Sequence, residues 1–364
     1  MIVKLPEVCN IQYGFAFDSA NFSEDERSLP LVRIRDVVRG YSETYYSGDY
    51  SDEYIVREGD LLIGMDGEFN IARWRSRNAL LNQRVCRVTA NAGTVEEYLR
   101  YALSKALKTI EDKTAFVTVK HLSAKELNKL ILDVPDFEEQ KRIAKILSAI
   151  ERIIWIRQLE LQKLDDLIKA RFVELFGTYD LALQNAEWIP ISQIGTVVGG
   201  STPKTSVAEY WDGEYRWISP AGLKADSGII YDSVKKITKA GIDSCSLQEL
   251  PVGTVILSSR APIGKVAIAG KAFYCNQGFK NIICNAKVLP RYLYTLLLFN
   301  TEYLNSLGRG ATFKEISKSI VESIRIPLPT IDQQKQFESF VVQIDKSRFV
   351  GDKHWSNRNS CLAA

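Results

Sequence analysis

The run LILDVPDFEEQKRIAKIL, residues 130–147, returns as IRIPLPTIDQQKQFESFV, residues 324–341. In both, a short apolar stretch reads as a strand and runs into proline, Pro135 in one and Pro329 in the other. Proline closes the strand because it has no N–H to give to a ladder. An acidic residue follows, Asp136 or Asp332, of a kind that suits a helix N-cap. Apolar residues then step by three and four, which is the period of an amphipathic helix.

Working outward, the same offset of 194 residues pairs other positions without a gap. Gly59 falls on Gly253, Asn82-Gln83 on Asn276-Gln277, and Tyr98-Leu99 on Tyr292-Leu293. Thr118 and Lys120 fall on Thr312 and Lys314, and Gln140-Lys141 on Gln334-Lys335. Further upstream the register shifts, with Gly14 best paired to Gly200 and Ile34 to Ile218. The chain is two copies of one unit, so each copy has to be read as a module. Within a module, short alternating runs (PLVRIRDV, DLLIGM and QRVCRV; then YRWISP, TVILSS, KVAIAG and NIIC) read as strands. An amphipathic stretch follows (EEYLRYALSKALKTI; RYLYTLLLFNTEYL) and reads as a helix.

From Phe137 to about Phe176 there is neither Pro nor Gly, and Gly177 is placed to end the helix. Ile143, Leu147, Ile150, Ile154, Leu161, Leu164 and Ile168 form its seam, interrupted by Arg157 and Arg171. Such a helix spans about 60 Å at 1.5 Å per residue, more than a module of this size needs for its own core. It reads as a spacer with coiled-coil character. Phe337, Val341 and Ile344 repeat the start of that seam. The pattern stops after Phe349, and a full copy would end near position 370, past the 364 residues of the sequence. The second rod is therefore expected to be truncated, with the polar stretch GDKHWSNRNSCLAA frayed or disordered.

Composition narrows the function. Forty-seven Lys+Arg against 44 Asp+Glu give +3, which excludes a histone-like basic protein and an acidic tail but leaves nucleic acid open. The charge is unevenly spread. Residues 1–134 carry 18 basic and 20 acidic side chains, residues 135–185 carry 8 and 9, and residues 186–364 carry 21 and 15. After Lys4 no lysine appears until Lys105, while eleven arginines do. Arg33 and Arg35 are expected to alternate along one strand, as are Arg73, Arg75 and Arg77. An arginine fork can bond guanine O6 and N7 together, so these are candidate base contacts, with a wet strand face as the plain alternative. The second copy prefers lysine: Lys204, Lys224, Lys235, Lys236, Lys239, Lys265 and Lys280, beside Arg216 and Arg260. Lysine suits phosphate better than base reading. Thr202 in GGSTPKTS, and Lys120 and Lys314, complete the candidate DNA contacts.

No catalytic centre emerges. Gly264-Lys265 lacks the upstream glycine and following hydroxyl of a phosphate loop, and no GxGxxG, GxSxG or HExxH occurs. His121 and His354 leave few candidates for a histidine-based triad, and His121 faces Glu315 across the repeat. The six cysteines (9, 86, 245, 275, 284, 361) have no metal-ligand spacing and read as free thiols of a cytosolic protein. No run long enough to span a membrane and no secretory h-region is present, so a cytoplasmic location is expected. The repeated Asn-Gln pairs are expected to satisfy buried loop backbone, with ligand contact as the alternative.

With PDFEEQK (Pro135 to Lys141), PTIDQQK (Pro329 to Lys335), the two Asn-Gln pairs and GGSTPKT (Gly199 to Thr205) in this order, the chain resembles the specificity subunit of type I restriction–modification enzymes. The resemblance implies an α+β chain: a tandem pseudo-two-fold repeat of two mixed α/β target recognition domains, separated by long helices packing as an antiparallel coiled coil. It divides the chain into a first recognition domain (1–134), a central spacer helix (135–180), a second recognition domain (181–328), a truncated distal helix (329–350) and a polar tail (351–364). Each domain would read one half of a bipartite site on double-stranded DNA. DNA methyltransferase subunits would dock on the helices and restriction subunits would join them, with no membrane involved. S-adenosylmethionine, ATP and Mg would belong to those partners, and no cofactor, metal or catalytic residue to this chain. The rival readings are a coiled-coil scaffold that binds no DNA and a free-standing enzyme.

Overall fold

Apolar runs bounded by Gly, Asp and Asn build the first module. Its strands are β1 (Ile2–Lys4), β2 (Cys9–Tyr13), β3 (Leu61–Gly64), β4 (Ile71–Arg73) and β5 (Val85–Ala90). Helix α1 (Glu96–Lys113), strand β6 (Ile131–Asp133) and the long helix α2 (Phe137–Phe176) follow. The computed structural model describes residues 1–113, 120–223, 228–308 and 314–362, with side chains of the last helix described through Arg348. Thr118, Lys224 and Thr312, and the side chains of His354 and Cys361, lie outside the described residues. The chain divides into two units, Met1–Gln158 and Leu159–Ala364, so that α2 contributes its first part to one and its last part to the other.

In the first unit four antiparallel strands lie in the order β2-β5-β3-β4, and β1 pairs with β6 from Ile2↔Asp133 to Lys4↔Ile131. A second sheet orders Phe22–Ser23, Tyr45–Tyr46, Leu29–Val32, Ala79–Leu81 and Ile55–Val56, with Leu29–Val32 parallel to Ala79–Leu81. Leu61, Ile63, Cys86 and Val88 point from the four-stranded sheet into a core shared with Leu99, Leu103 and Leu107 of α1.

The second unit repeats this plan. Its strands are β7 (Ile189–Pro190), β8 (Gly195–Gly199), β9 (Val255–Leu257), β10 (Val266–Ala269) and β11 (Lys280–Cys284), followed by helix α3 (Pro290–Phe299), strand β12 (Arg325–Ile326) and helix α4 (Ile331–Leu362). The sheet order is β8-β11-β9-β10, with Ile229–Ile230 added parallel to β10 as a fifth strand that the first module's sheet lacks, and β7 pairs with β12. Helices α1 and α3, strands β6 and β12, and helices α2 and α4 each start 194 residues apart. Trp211–Ile218 lies parallel to Tyr274–Cys275, the counterpart of the parallel pair in the first module.

Several expectations are corrected. The strand in PLVRIRDV ends at Val32 and a helix, Ile34–Arg39, begins, because the Asp36 carboxylate accepts from Arg33 N at 3.0 Å and caps the turn. Arg33 and Arg35 therefore do not alternate on a strand. IARWRSRN likewise is strand only to Arg73, so Arg75 and Arg77 stand beyond it. RYLYTLLLFNTEYL is broken at Asn300, whose side chain donates to Leu296 O at 2.8 Å and accepts from Leu181 N at 2.9 Å. Asp136 caps α2 by accepting from Glu139 N at 2.9 Å, whereas Asp332 sits inside the first turn of α4. The cap of α4 falls to Thr330, which stands 194 residues after Asp136 and accepts from Gln333 N at 3.4 Å. Helix α4 also continues to Leu362, past the end expected at residue 350 and through most of the tail expected to be disordered. Gly351 costs only about 1 kcal/mol in a helix interior, and no proline follows to stop it. Gly177 ends α2 as expected, at φ +83° with its N–H on Val173 O at 2.8 Å.

In the second unit the last part of α2 and the start of α4 run antiparallel. Phe337 meets the rings of Phe172 and Phe176 at 5.4 and 5.7 Å, the Arg171 guanidinium lies 5.6 Å from the Phe340 ring, and Arg348 pairs with Asp165. Residue numbers rise along one helix as their partners' numbers fall along the other.

Candidate nucleic-acid interface

Arginines of the first module separate into struts and exposed groups. Arg73 ends β4 and points across to the start of α1, where Nη1 donates to Glu96 Oε1 and Gly59 O, both at 2.8 Å, and Nη2 donates to Glu97 Oε2 at 2.7 Å. Burial pushes the Glu97 carboxyl up, but Arg73 and Arg100 outweigh it and hold Glu97 below the usual carboxylate range. Arg73 is thus tied inside the module. Arg33, Arg35, Arg75 and Arg77 are exposed. Arg75 packs its stem under Gly40, whose φ of +77° ends the helix Ile34–Arg39, so helix and arginine form one surface. Arg77 donates to Ser28 O at 3.0 Å and to Glu26 O, and its guanidinium lies 5.6 Å from the Tyr45 ring.

Several candidate cations of the second module are also spent internally. Lys265 Nζ donates to Pro220 O and Leu223 O at 3.0 and 2.6 Å. Lys280 and Arg260 converge on Glu315, at 3.1 and 3.0 Å. Burial raises the Glu315 carboxyl, and the two cations together bring it below its ordinary value. Arg216 Nε lies 3.4 Å from Asp232. Lys204 and Lys314 are exposed, and Thr202 donates to Gln277 Oε1 at 2.5 Å. Lys120, the partner of Lys314 in the repeat, pairs with Glu111 at 3.1 Å and holds that carboxyl low.

One constellation escaped the sequence reading. Asp66 and His121 form an isolated bridge between their backbones and face each other through their side chains, and Arg84 Nη1 lies 2.9 Å from His121 Nδ1. At the 194-residue offset Asp66 falls on Arg260 and His121 on Glu315, which form the matching bridge. Acid and base have changed places while the backbone link is kept. The opposed signs of residues 66 and 260 at this offset were the signal in the sequence.

The Asn-Gln pairs divide by residue. Asn276 Oδ1 accepts from Gly278 N at 2.9 Å, a loop role as expected. Asn82 is buried, and its Oδ1 has no hydrogen-bond partner among the described residues. Gln83 and Gln277 are both exposed. A Cβ on Gly14 would lie 2.0 Å from Asn82 O, and one on Gly200 would lie 2.3 Å from Asn276 O, so both backbones pass too closely for any other residue.

On α2 the seam is covered unevenly. Ile143, Leu147, Leu161, Leu164 and Ile168 are half-buried, whereas Ile150 and Ile154 are exposed, together with Ile146, Ile153, Trp155 and Ile156. Phe337, Val341 and Ile344 are buried. Cys9 and Cys86 are buried, and burial pushes both thiols up to about 12, which keeps them protonated and unreactive. Among the described residues no group of three His, Cys, Asp or Glu could hold a metal ion, and no helix is long and apolar enough to cross a membrane.

Two modules of one topology, each leading through a strand and a proline into a long helix, define a tandem α+β class. Residues 1–165 and 184–349 both match the type I restriction modification DNA specificity domain, and the chain belongs to that family. It is 39% identical over 185 residues to the MjaIX specificity subunit of Methanocaldococcus jannaschii, covering 49% of this chain and 43% of that protein. It is 39% identical over 168 residues to the EcoBI specificity subunit of Escherichia coli, covering 46% of this chain and 35% of that protein. These two matches thus span less than half of either relative. The putative MjaX specificity subunit aligns over 90% of this chain and 83% of its own length at 25% identity. The fold is that of the crystallised type I restriction–modification S subunit from M. genitalium, with a TM-score of 0.59, 14% identity, and coverage of 99% of this chain and 93% of that one.

Proposed function

We propose that this chain is the address-reading subunit of a type I restriction–modification system, binding a bipartite double-stranded DNA target and catalysing nothing itself. The observation that carries the reading is one module built twice on a shared frame with unlike surfaces. Strand order and helix starts repeat, while the exposed cations are arginines on and beside Ile34–Arg39 in one copy and lysines such as Lys204 and Lys314 in the other. A shared frame with different surfaces is what two unequal half-sites require. Arg75 and Arg77, and the exposed Gln83 and Gln277, are the side chains best placed to reach bases. The struts Arg73, Lys265 and Lys280 support them from within.

The exposed apolar side chains of α2, among them Ile146, Ile150, Ile153 and Trp155, support docking of partner chains on this helix. DNA methyltransferase subunits fit that role and would supply S-adenosylmethionine, with restriction subunits adding ATP and Mg chemistry. DNA affinity of the purified chain with its methyltransferase should fall steeply with salt, because phosphate contacts release counterions. The absence of any salt-dependent DNA affinity would favour a scaffold that binds no DNA.

A further inference from the structure

Gln140 and Gln334 occupy the same register of the two copies, in the first turn of α2 and of α4, and only 2% and 0% of their surface is exposed. A buried amide in the first turn of a helix is costly unless each of its polar atoms finds a partner. Gln140 Oε1 accepts from Val95 N at 2.8 Å, while Nε2 donates to Pro135 O at 3.0 Å and to Gly93 O at 3.4 Å. Gln334 Oε1 accepts from Leu289 N at 2.7 Å, while Nε2 donates to Pro329 O at 3.0 Å and to Lys287 O at 3.1 Å. Every partner in the second set stands 194 residues after its counterpart in the first.

These bonds join three pieces of backbone. Val95 and Leu289 precede the first turns of α1 and α3, so each glutamine carbonyl satisfies a helix-start N–H. Pro135 and Pro329 close the strand that leads to the long helix. Gly93 and Lys287 belong to the turn ahead of α1 and α3. A second bond is repeated beside the first: Tyr98 OH donates to Asp133 O and Tyr292 OH to Pro327 O, both at 2.8 Å. The carboxylates Glu151 and Asp345, also 194 residues apart, then tie each long helix to an arginine of α1 or α3, Arg100 at 2.5 Å and Arg291 at 3.0 Å. Solvent-facing residues could hold a helix start loosely. A buried side chain with satisfied bonds on both sides holds it at a set angle.

We propose that Gln140 and Gln334 are positioning residues that lock each recognition module at a set angle on its long helix and thereby fix how strictly the gap between half-sites is measured. The proposal rests on the bipartite-target reading above. The test uses the full chain in complex with its methyltransferase and compares wild type with Gln140→Met and, separately, Gln334→Met. Binding is measured on duplexes with the native gap, with the gap changed by one base pair, and with one half-site alone. Each variant should lose about tenfold of the wild-type preference for the native gap while its affinity for the single half-site stays within about threefold. Gln140→Glu keeps an acceptor for Val95 N–H but has no donor for the two carbonyls, and should show the same loss where Gln140→Met does not fold. An unchanged gap preference, or an equal loss on the single half-site, overturns the lock. Wild type that is indifferent to the gap instead overturns the bipartite reading beneath it.

Discussion

Asp66 with His121, and Arg260 with Glu315, show how one backbone bridge can carry its carboxylate on either of the two segments it joins. His121→Glu would set an acid against Asp66 and should destabilise the first module by about 1 kcal/mol, since like charges at a partly exposed site repel modestly. Asp66→Arg combined with His121→Glu installs the arrangement of the second module and should recover that loss in denaturant unfolding. Failure to recover it would mean that the bridge depends on Arg84 rather than on the pair. The acid side of the pH range is governed by carboxylates such as Glu97 and Glu315, whose values lie below normal because cations outweigh their burial. A lowered folded value contributes stability that is present above the ordinary carboxylate pKa of about 4.3 and is lost as pH falls through the folded value. Glu315→Gln should therefore be less stable than wild type at pH 7 and flatten the decline in midpoint between pH 5 and pH 3. Arg73→Met should cost about 1 kcal/mol by stranding Glu96, with Glu97 still paired to Arg100, whereas Arg75→Ala should change the melting temperature little. From sequence the three arginines of IARWRSRN looked alike. What separates them is Glu96 and Glu97, which stand more than twenty residues away and reach only the first of the three.

At the scale of elements, α2 was legible to its last residue, because 40 residues without Pro or Gly and a glycine at the end leave little choice. The short helix Ile34–Arg39 was not. Its apolar and charged residues also fit strand alternation, and only the Asp36 cap and the close approach of Ile34 to Gly64 decide for a helix. The distal end of α4 misled for a related reason: a polar sequence with one glycine weakens a helix without stopping it. The end of the spacer helix holds more than a spacer would need: Phe172 and Phe176 both lie in the core of the second module, against Tyr292 and Phe337. Phe172→Ala should cost about 3–5 kcal/mol. Hydrogen exchange should then show loss of protection in α3 and the start of α4, with the sheet β2-β5-β3-β4 unaffected. Uniform loss across both units would show that they unfold as one.

For the whole molecule, the near-neutral charge hides two modules that use their cations differently. The repeat at 194 residues accounts for the common frame: strand order, the strand–proline–helix passage and the buried glutamines. It does not extend to the charged surfaces, where the residues differ between copies and where loop placement rather than periodicity decides which side chains are exposed. The central claim is that one chain reads two unlike half-sites held at a fixed distance. Methylome sequencing of a host carrying this chain with its methyltransferase tests that claim most directly. The account predicts one methylated motif made of two unequal sequences separated by a gap of constant length, with Arg75→Ala and Arg77→Ala together relaxing one half only. A continuous palindromic motif, or equal weakening of both halves by that double substitution, would contradict it.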